Sequence, residues 1–243
     1  MGQIQTEERG TVQTIGGLMS LGGSMQTIVR RDYSDKYGYL YILELMETIG
    51  KQAEPRFVID KSNKFAYTNI AKWLVGDPTM ESLDVNGRSR RTGRLSCGIY
   101  LCGETGTGKS FIMAIASTIA KELRLGYSYG RAARSLSWYS FRADAATSYY
   151  MRSGDLLPWT EENMVCCLND LGSEPSDANY MGTRTNVLRQ IIETRGDNRS
   201  MITHFTSNIS LRDSAKMKGR YGDRAYDRLR QLNYLEIAGG SRR

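Results

Sequence analysis

Residues 98–110 read Gly-Ile-Tyr-Leu-Cys-Gly-Glu-Thr-Gly-Thr-Gly-Lys-Ser. Gly103, Gly108, Lys109 and Ser110 satisfy the spacing G-x-x-x-x-G-K-[ST] of a phosphate-binding P-loop. The apolar run Ile99, Tyr100, Leu101, Cys102 precedes it and predicts a buried strand. The segment from Phe111 to Leu123 carries neither Gly nor Pro and predicts a helix. Strand, Gly-rich turn and helix are the context in which this spacing has chemical meaning. Gly106 and Gly108 let backbone N–H groups curl around phosphate oxygens without a Cβ in the way. The helix N-terminus adds positive partial charge. Gly103, Thr105, Gly106, Thr107, Gly108, Lys109 and Ser110 are therefore the expected nucleotide-binding residues, for ATP with Mg²⁺. In that reading Lys109 reaches the β- and γ-phosphates and the Ser110 hydroxyl meets the metal.

A second stretch complements the first. In Met164-Val-Cys-Cys-Leu-Asn-Asp-Leu-Gly-Ser-Glu an apolar strand runs into polar residues at its C-terminal end. Open parallel sheets bind ligands at that edge. Asn169 and Asp170 are thus candidates for the γ-phosphate and its metal, the position of a Walker B element. The usual pattern has two acids in tandem, and Asn169 stands in the first place. An amide accepts a hydrogen bond from metal-bound water but brings no negative charge. Slow turnover is expected, with Asp170 as the main residue for orienting or activating water. Farther on, Met201-Ile-Thr-His-Phe-Thr-Ser-Asn predicts another strand, with His204 inside it as a core residue and Asn208 at its polar end. Arg224 and Arg228 lie four apart in a helical tail and share a face. They form either a solvated basic face or a contact with a neighbour's nucleotide.

The 243 residues suffice for a full α/β core plus a small extension. No apolar run is long enough to span a bilayer, and the N-terminus lacks a signal peptide. Gly2 and Thr6 fit the N-myristoylation pattern, which is too short to carry weight. Cys97, Cys102, Cys166 and Cys167 lie on or beside predicted strands without metal-ligand spacing, which points to a reducing, cytoplasmic setting. The net charge of +7 suits a polyanionic partner or a merely basic protein. Residues 1–30, with six glycines among Thr, Ser and Gln, read as a flexible arm or a segment that folds onto a partner. Residues 33–50 predict an amphipathic helix ending at Gly50, facing its own domain or a partner. Phe57-Val58-Ile59 reads as a short strand, and Lys64–Val75 as a helix stopped by Gly76-Asp77-Pro78. Arg88, Arg90, Arg91 and Arg94 sit in a polar connection, either touching phosphate or solvated.

In this order the parts resemble the DnaC/DnaI/IstB group of AAA+ ATPases, replicative helicase loaders and transposition helpers. The resemblance rests on the P-loop, Leu171-Gly-Ser-Glu174, Thr206-Ser-Asn208, Tyr221-Gly-Asp-Arg…Asp227-Arg-Leu and Gly239-Gly-Ser-Arg-Arg243. It covers about residues 56–243 and implies a P-loop α/β domain of AAA+ type with a parallel central sheet flanked by helices. Residues 1–55 would form a small N-terminal extension that binds a partner. The sequence stops just after the last motif, so little or no C-terminal lid is expected. The resemblance gives Asn208 the sensor 1 place, Arg228 the arginine-finger place with Arg224 as companion, and Arg243 the sensor 2 place with Arg242 as the adjacent alternative. Glu174 matches an acid that the group carries. It also implies a homo-oligomer with ATP at subunit interfaces, single-stranded DNA, and a replicative DNA helicase as partner. A transposition helper would instead take a transposase and duplex DNA. A nucleotide-dependent binding module with little turnover is the third reading, motivated by Asn169.

Overall fold

The computed structural model describes residues 37–86, 89–129, 132–160, 165–198 and 200–242. The expectations for residues 1–36, and those for Arg88 and Arg243, lie outside the described residues. The chain begins with helices α1 (Tyr39–Ala53) and α2 (Lys64–Val75) and the hairpin β1 (Glu81–Leu83) and β2 (Arg90–Thr92). Next come β3 (Ile99–Gly103), α3 (Lys109–Glu122), a hairpin of β4 (Gly126–Tyr129) and β5 (Ala132–Ser135), β6 (Tyr139–Arg142), α4 (Ala143–Ser153) and the short α5 (Leu157–Thr160). The last part holds β7 (Cys166–Leu171), the hairpin β8 (Ala178–Tyr180) and β9 (Thr183–Thr185), α6 (Val187–Asp197), β10 (Thr203–Ser207), α7 (Ser214–Arg230) and β11 (Asn233–Ile237).

Five strands form one all-parallel sheet in the order β11-β3-β10-β7-β6. Helices cover both faces, which is why β3, β7 and β10 are apolar or buried along nearly their whole length rather than alternating. On one face Ile42, Met46, Ile70, Trp73, Ile112 and Ile119 pack against Leu101 and Leu235. On the other, Leu188, Ile191, Ile192, Tyr221 and Leu229 pack against Leu168 and Phe205. This is an α/β P-loop fold with three layers. The three buried cysteines, Cys102, Cys166 and Cys167, fill strand positions, and Cys97 is half-buried just before β3.

Each polar side chain of β10 makes at least one hydrogen bond, as burial favours. Arg195 Nε donates to Thr203 Oγ1 at 2.6 Å. His204 Nδ1 accepts from the Ile99 amide at 3.1 Å, with its ring between Trp73 and Trp138. Thr206 Oγ1 donates to Asn169 Oδ1, and Ser207 Oγ to the Leu171 carbonyl. His204 is the core residue the sequence predicts.

Several local expectations change. Gly50 does not end a helix: α1 continues to Ala53, and Gly50 is buried where a Cβ would meet the Phe57 ring at 2.4 Å. The glycine permits a close approach instead of a stop. Of the two faces considered for this helix, the structure shows packing on the sheet-covering layer through Ile42 and Met46. Phe57-Val58-Ile59 forms no strand; Phe57 packs edge-on against Phe111 and tilted against Tyr67. The basic connection contains the β1–β2 hairpin; Arg90 and Arg94 in it are exposed, as in the solvated reading, and Arg91 is half-buried. Arg90 pairs with Glu81 at 3.2 Å, Arg91 donates to the Leu232 carbonyl at 3.0 Å, and Arg94 donates to the Gln231 carbonyl. Arg91 and Arg94 thus satisfy carbonyls just beyond the C-terminus of α7, where cations are favoured.

Candidate nucleotide-binding site

The P-loop leaves β3 at its C-terminal end and enters α3. Gly106 and Gly108 have φ of 84° and 88°, the left-handed region. Gly106 carries a second constraint. A Cβ there would lie 2.3 Å from Ser241 Oγ, because the C-terminal segment crosses the loop and the Arg242 amide donates to the Gly106 carbonyl at 3.0 Å. Lys109 is buried at the start of α3. Its Nζ donates to the Gly103 and Glu104 carbonyls at 2.9 and 2.8 Å and to Asn208 Oδ1 at 2.7 Å. Asn208 Nδ2 donates in turn to Thr105 Oγ1 at 3.1 Å. The end of β10 is thereby wired into the P-loop through both polar atoms of the Asn208 side chain.

A cleft of about 870 Å³ opens over the loop. Lys109, Ser110, Asp170 and Asn208 all line it, together with Thr105, Gly106, Thr107 and Gly108. Three separate segments of the chain, the P-loop and the ends of β7 and β10, therefore converge on one cavity. Gly103 lies behind it at the strand end, its carbonyl held by Lys109. Asp170 stands in the left-handed region, with φ of 58°. Its amide donates to Thr206 Oγ1 at 3.0 Å. A non-glycine residue seldom adopts this conformation, and it turns the chain at the strand end so that Asp170 reaches the cleft.

Asn169 is held differently. It is 8% exposed, and its Oδ1 accepts from Thr206 Oγ1 at 3.1 Å and from Cys167 Sγ at 3.7 Å. Its carboxamide belongs to the β7–β10 polar network. Glu174 is likewise an anchor: its carboxylate accepts from the Gly172 amide at 2.8 Å, from Tyr221 Oη at 2.7 Å and from Arg220 at 3.0 Å, nearly out of solvent. It ties the turn after β7 to α7. Burial, with the Glu174 carboxylate beside it, pushes the Tyr221 hydroxyl far above its ordinary value.

Arg224 and Arg228 lie elsewhere. Both pair with Asp197 at the end of α6, Arg228 through Nε at 2.6 Å. Arg228 borders a smaller cavity with Gly98 and Thr203, residues at the N-terminal ends of β3 and β10. The P-loop leaves the opposite edge, and the five residues of β3 separate the two by roughly 16 Å of strand. Arg242 does line the cleft, with its guanidinium on Asp60 at 2.8 and 2.9 Å. The bonds from Ser62 and then Arg242 pull the Asp60 carboxyl down to about 2.

Three contributors escaped the sequence reading. Arg142 ends β6 and borders the cleft beside Asp170; it is forked onto Asp144 at 3.0 and 2.8 Å. Only the pairing of β6 with β7, which sets Arg142 opposite Asn169, brings it here. Phe57, Val58 and Tyr67 give the cleft an apolar end. Asp60 had a visible local signal, since Asp-x-Ser-Asn before a helix is a turn-and-cap pattern.

The chemistry of this donor set fits a magnesium-bound nucleoside triphosphate. Left-handed glycines, backbone amides at a helix start and one buried lysine suit phosphate oxygens. Mg²⁺ takes few protein ligands and relies on phosphate and water, so Ser110 and Asp170 form a sufficient set. No cluster of three or more His, Cys, Asp or Glu side chains able to hold a metal by itself occurs among the described residues.

The solved structures decide the fold. A crystal structure of the DnaC helicase loader superimposes with a TM-score of 0.50 at 18% identity, covering 76% of this chain and 95% of that one. The chain shares the α/β P-loop fold of that loader. A putative primosome component from Streptococcus pyogenes serotype M3 gives a TM-score of 0.51 at 20% identity, covering 77% and 85%. AMPPCP-bound DnaA from Aquifex aeolicus gives 0.45 at 15% identity, covering 84% and 51%. No protein-family model and no curated protein matches the sequence. No helix among the described residues is long and apolar enough to cross a membrane.

Proposed function

We propose that this chain binds and hydrolyses ATP, assembles into a homo-oligomer with nucleotide between subunits, and loads a replicative DNA helicase onto single-stranded DNA in the cytoplasm. The convergence of Lys109, Ser110, Asp170 and Asn208 on one cleft carries the reading. The P-loop amides and Lys109 would hold the phosphates, Ser110 and Asp170 the Mg²⁺, and Phe57, Val58 and Tyr67 the base. Bound Mg²⁺ would neutralise phosphate charge. Asp170 would orient the attacking water, Asn208 would fix Lys109 and the γ-phosphate, and Asn169 would act through the network behind Asp170. Arg242 would approach the phosphates from the tail that crosses Gly106; Arg243, next to it, shares the sensor 2 proposal. Arg228, with Arg224, would act on a neighbour's nucleotide, since its own P-loop lies at the far sheet edge. The likeness in fold to a helicase loader and the net charge of +7 support the choice of partner and of DNA.

The test is ATP hydrolysis by the purified protein alone, with single-stranded DNA and with duplex DNA, beside Lys109→Ala. Stimulation by single strands is expected. Stimulation by duplex alone would move the reading to a transposition helper acting with a transposase. Nucleotide binding without turnover would make the chain a switch, a reading that Asn169 favours.

A further inference from the structure

Arg224 and Arg228 carry like charges one helical turn apart, an arrangement that costs free energy when nothing stands between them. Asp197 stands between them. Its Oδ1 accepts from Arg228 Nε at 2.6 Å and its Oδ2 from Arg224 Nη2. Asp227 takes Arg228 Nη1 at 2.9 Å. Two of the three guanidinium nitrogens of Arg228 are thus fixed, and Nη2 has no partner among the described residues. The approach of the two helices is built for this contact. Asp197 is the last residue of α6, and at Gly196 a Cβ would lie only 2.7 Å from the Cβ of Arg228. The side chain of Arg228 is 28% exposed and that of Arg224 60%, so the held pair faces outward.

We propose that Asp197 is a positioning residue for phosphoryl chemistry on a neighbouring subunit: it holds Arg228 and Arg224 side by side at the surface. This rests on the trans role proposed for Arg228. An arginine side chain has many rotamers, and one already placed loses less freedom when it meets phosphate. A neutral residue at 197 leaves the two cations to splay. The pairing is robust at neutral pH, because the Arg228 and Arg224 hydrogen bonds hold the Asp197 carboxyl below its ordinary range.

The test compares ATP turnover of full-length wild type, Asp197→Ala, Asp197→Glu and Arg228→Ala, each alone and mixed with Lys109→Ala. Circular dichroism and nucleotide binding serve as checks. Arg228→Ala is expected to lose about 100-fold or more, and Asp197→Ala about tenfold or more, with nucleotide binding kept. Asp197→Glu recovers part of the loss. Adding Lys109→Ala subunits, which keep an intact arginine pair, restores turnover on the nucleotide site of Asp197→Ala. Wild-type turnover in Asp197→Ala, or a loss that mixing does not restore, overturns the positioning role and leaves the Arg228 reading standing. Wild-type turnover in Arg228→Ala overturns the trans reading itself, and the role of Asp197 with it.

Discussion

Asn169→Asp restores the acidic residue that a Walker B strand ordinarily carries, and the structure puts a cost on doing so. Asn169 is 8% exposed and receives one hydroxyl donor, Thr206 Oγ1, and one weak thiol donor. An aspartate here keeps both, but its charged form must leave water. Full burial raises a carboxyl by roughly 3 to 5 pKa units. With the Thr206 hydroxyl as partial compensation, about 2 units is the reasonable figure, equivalent to about 2.7 kcal/mol. The folded-state pKa is raised, so the penalty is complete above it and fades as pH falls towards the unfolded value. With values of about 5.9 folded and 3.9 unfolded, the loss is about 2.7 kcal/mol at pH 7.5 and about 1.5 kcal/mol at pH 5. That is a sizeable part of a typical domain's stability. The assay is urea unfolding of the nucleotide-free variant and wild type at both pH values, followed by fluorescence of the buried Trp73, Trp138 and Trp159. Titration of Asp170 and other native groups cancels in the difference. Equal stability of the two proteins at pH 7.5, or a deficit that does not shrink at pH 5, would refute the burial argument. If the carboxylate introduced in the variant also meets the ion, Mg²⁺ with ATP offsets part of the deficit and turnover rises.

Gly106→Ala puts a side chain into the left-handed region and into Ser241 Oγ at 2.3 Å. A loss of about 1–3 kcal/mol is expected, and the thermal stabilisation that ATP confers falls, read by calorimetry with and without nucleotide. Glu174→Ala leaves the Arg220 guanidinium and Tyr221 hydroxyl without their carboxylate in a nearly buried site. It should cost about 2–4 kcal/mol in urea unfolding, whereas Glu54→Ala, at an exposed pair with Arg56, should leave the urea midpoint nearly unchanged. In native protein at pH 8, iodoacetamide should modify Cys97 and spare Cys102, Cys166 and Cys167. Burial pushes the Cys102 thiol up to about 11 and raises the other two; mass spectrometry of native and unfolded protein gives the count.

The P-loop, the β7 end and the β10 end were legible because each joins a short strand, apolar in β3 and β7 and entered through Met201-Ile202 in β10, to polar residues at its C-terminal end. Periodicity along the chain reports burial, and burial on both faces reports a parallel sheet. What the sequence hid depends on strand order. Arg142 reads as the end of an isolated four-residue strand until β6 is placed beside β7, and nothing local states that adjacency. The hairpins β4–β5 and β8–β9 were missed because their strands are three or four residues long, too short for alternation to show. Gly50 was misread because a glycine near a helix end is the same signal whether the chain must stop or a neighbour must come close, and only Phe57 distinguishes the two.

The arrangement of the sheet bears on why a single chain would be incomplete as a catalyst. Parallel strands place every βα turn at one edge, which collects Lys109, Asp170 and Asn208. They place every αβ return at the other edge, and α6 and α7 both end there with Asp197 and Arg228. No rotamer of Arg228 spans the roughly 16 Å of β3 that separates the edges, and the network through His204 and Ile99 holds β10 to β3 along the way. A cation from the return edge can meet a triphosphate only if a second copy presents that edge to the first copy's cleft. If Arg228 acts on phosphate at all, turnover per chain must rise with protein concentration until assembly saturates. A rate per chain that stays constant across dilution, down to where light scattering shows monomers, would leave Arg228 no phosphate to act on.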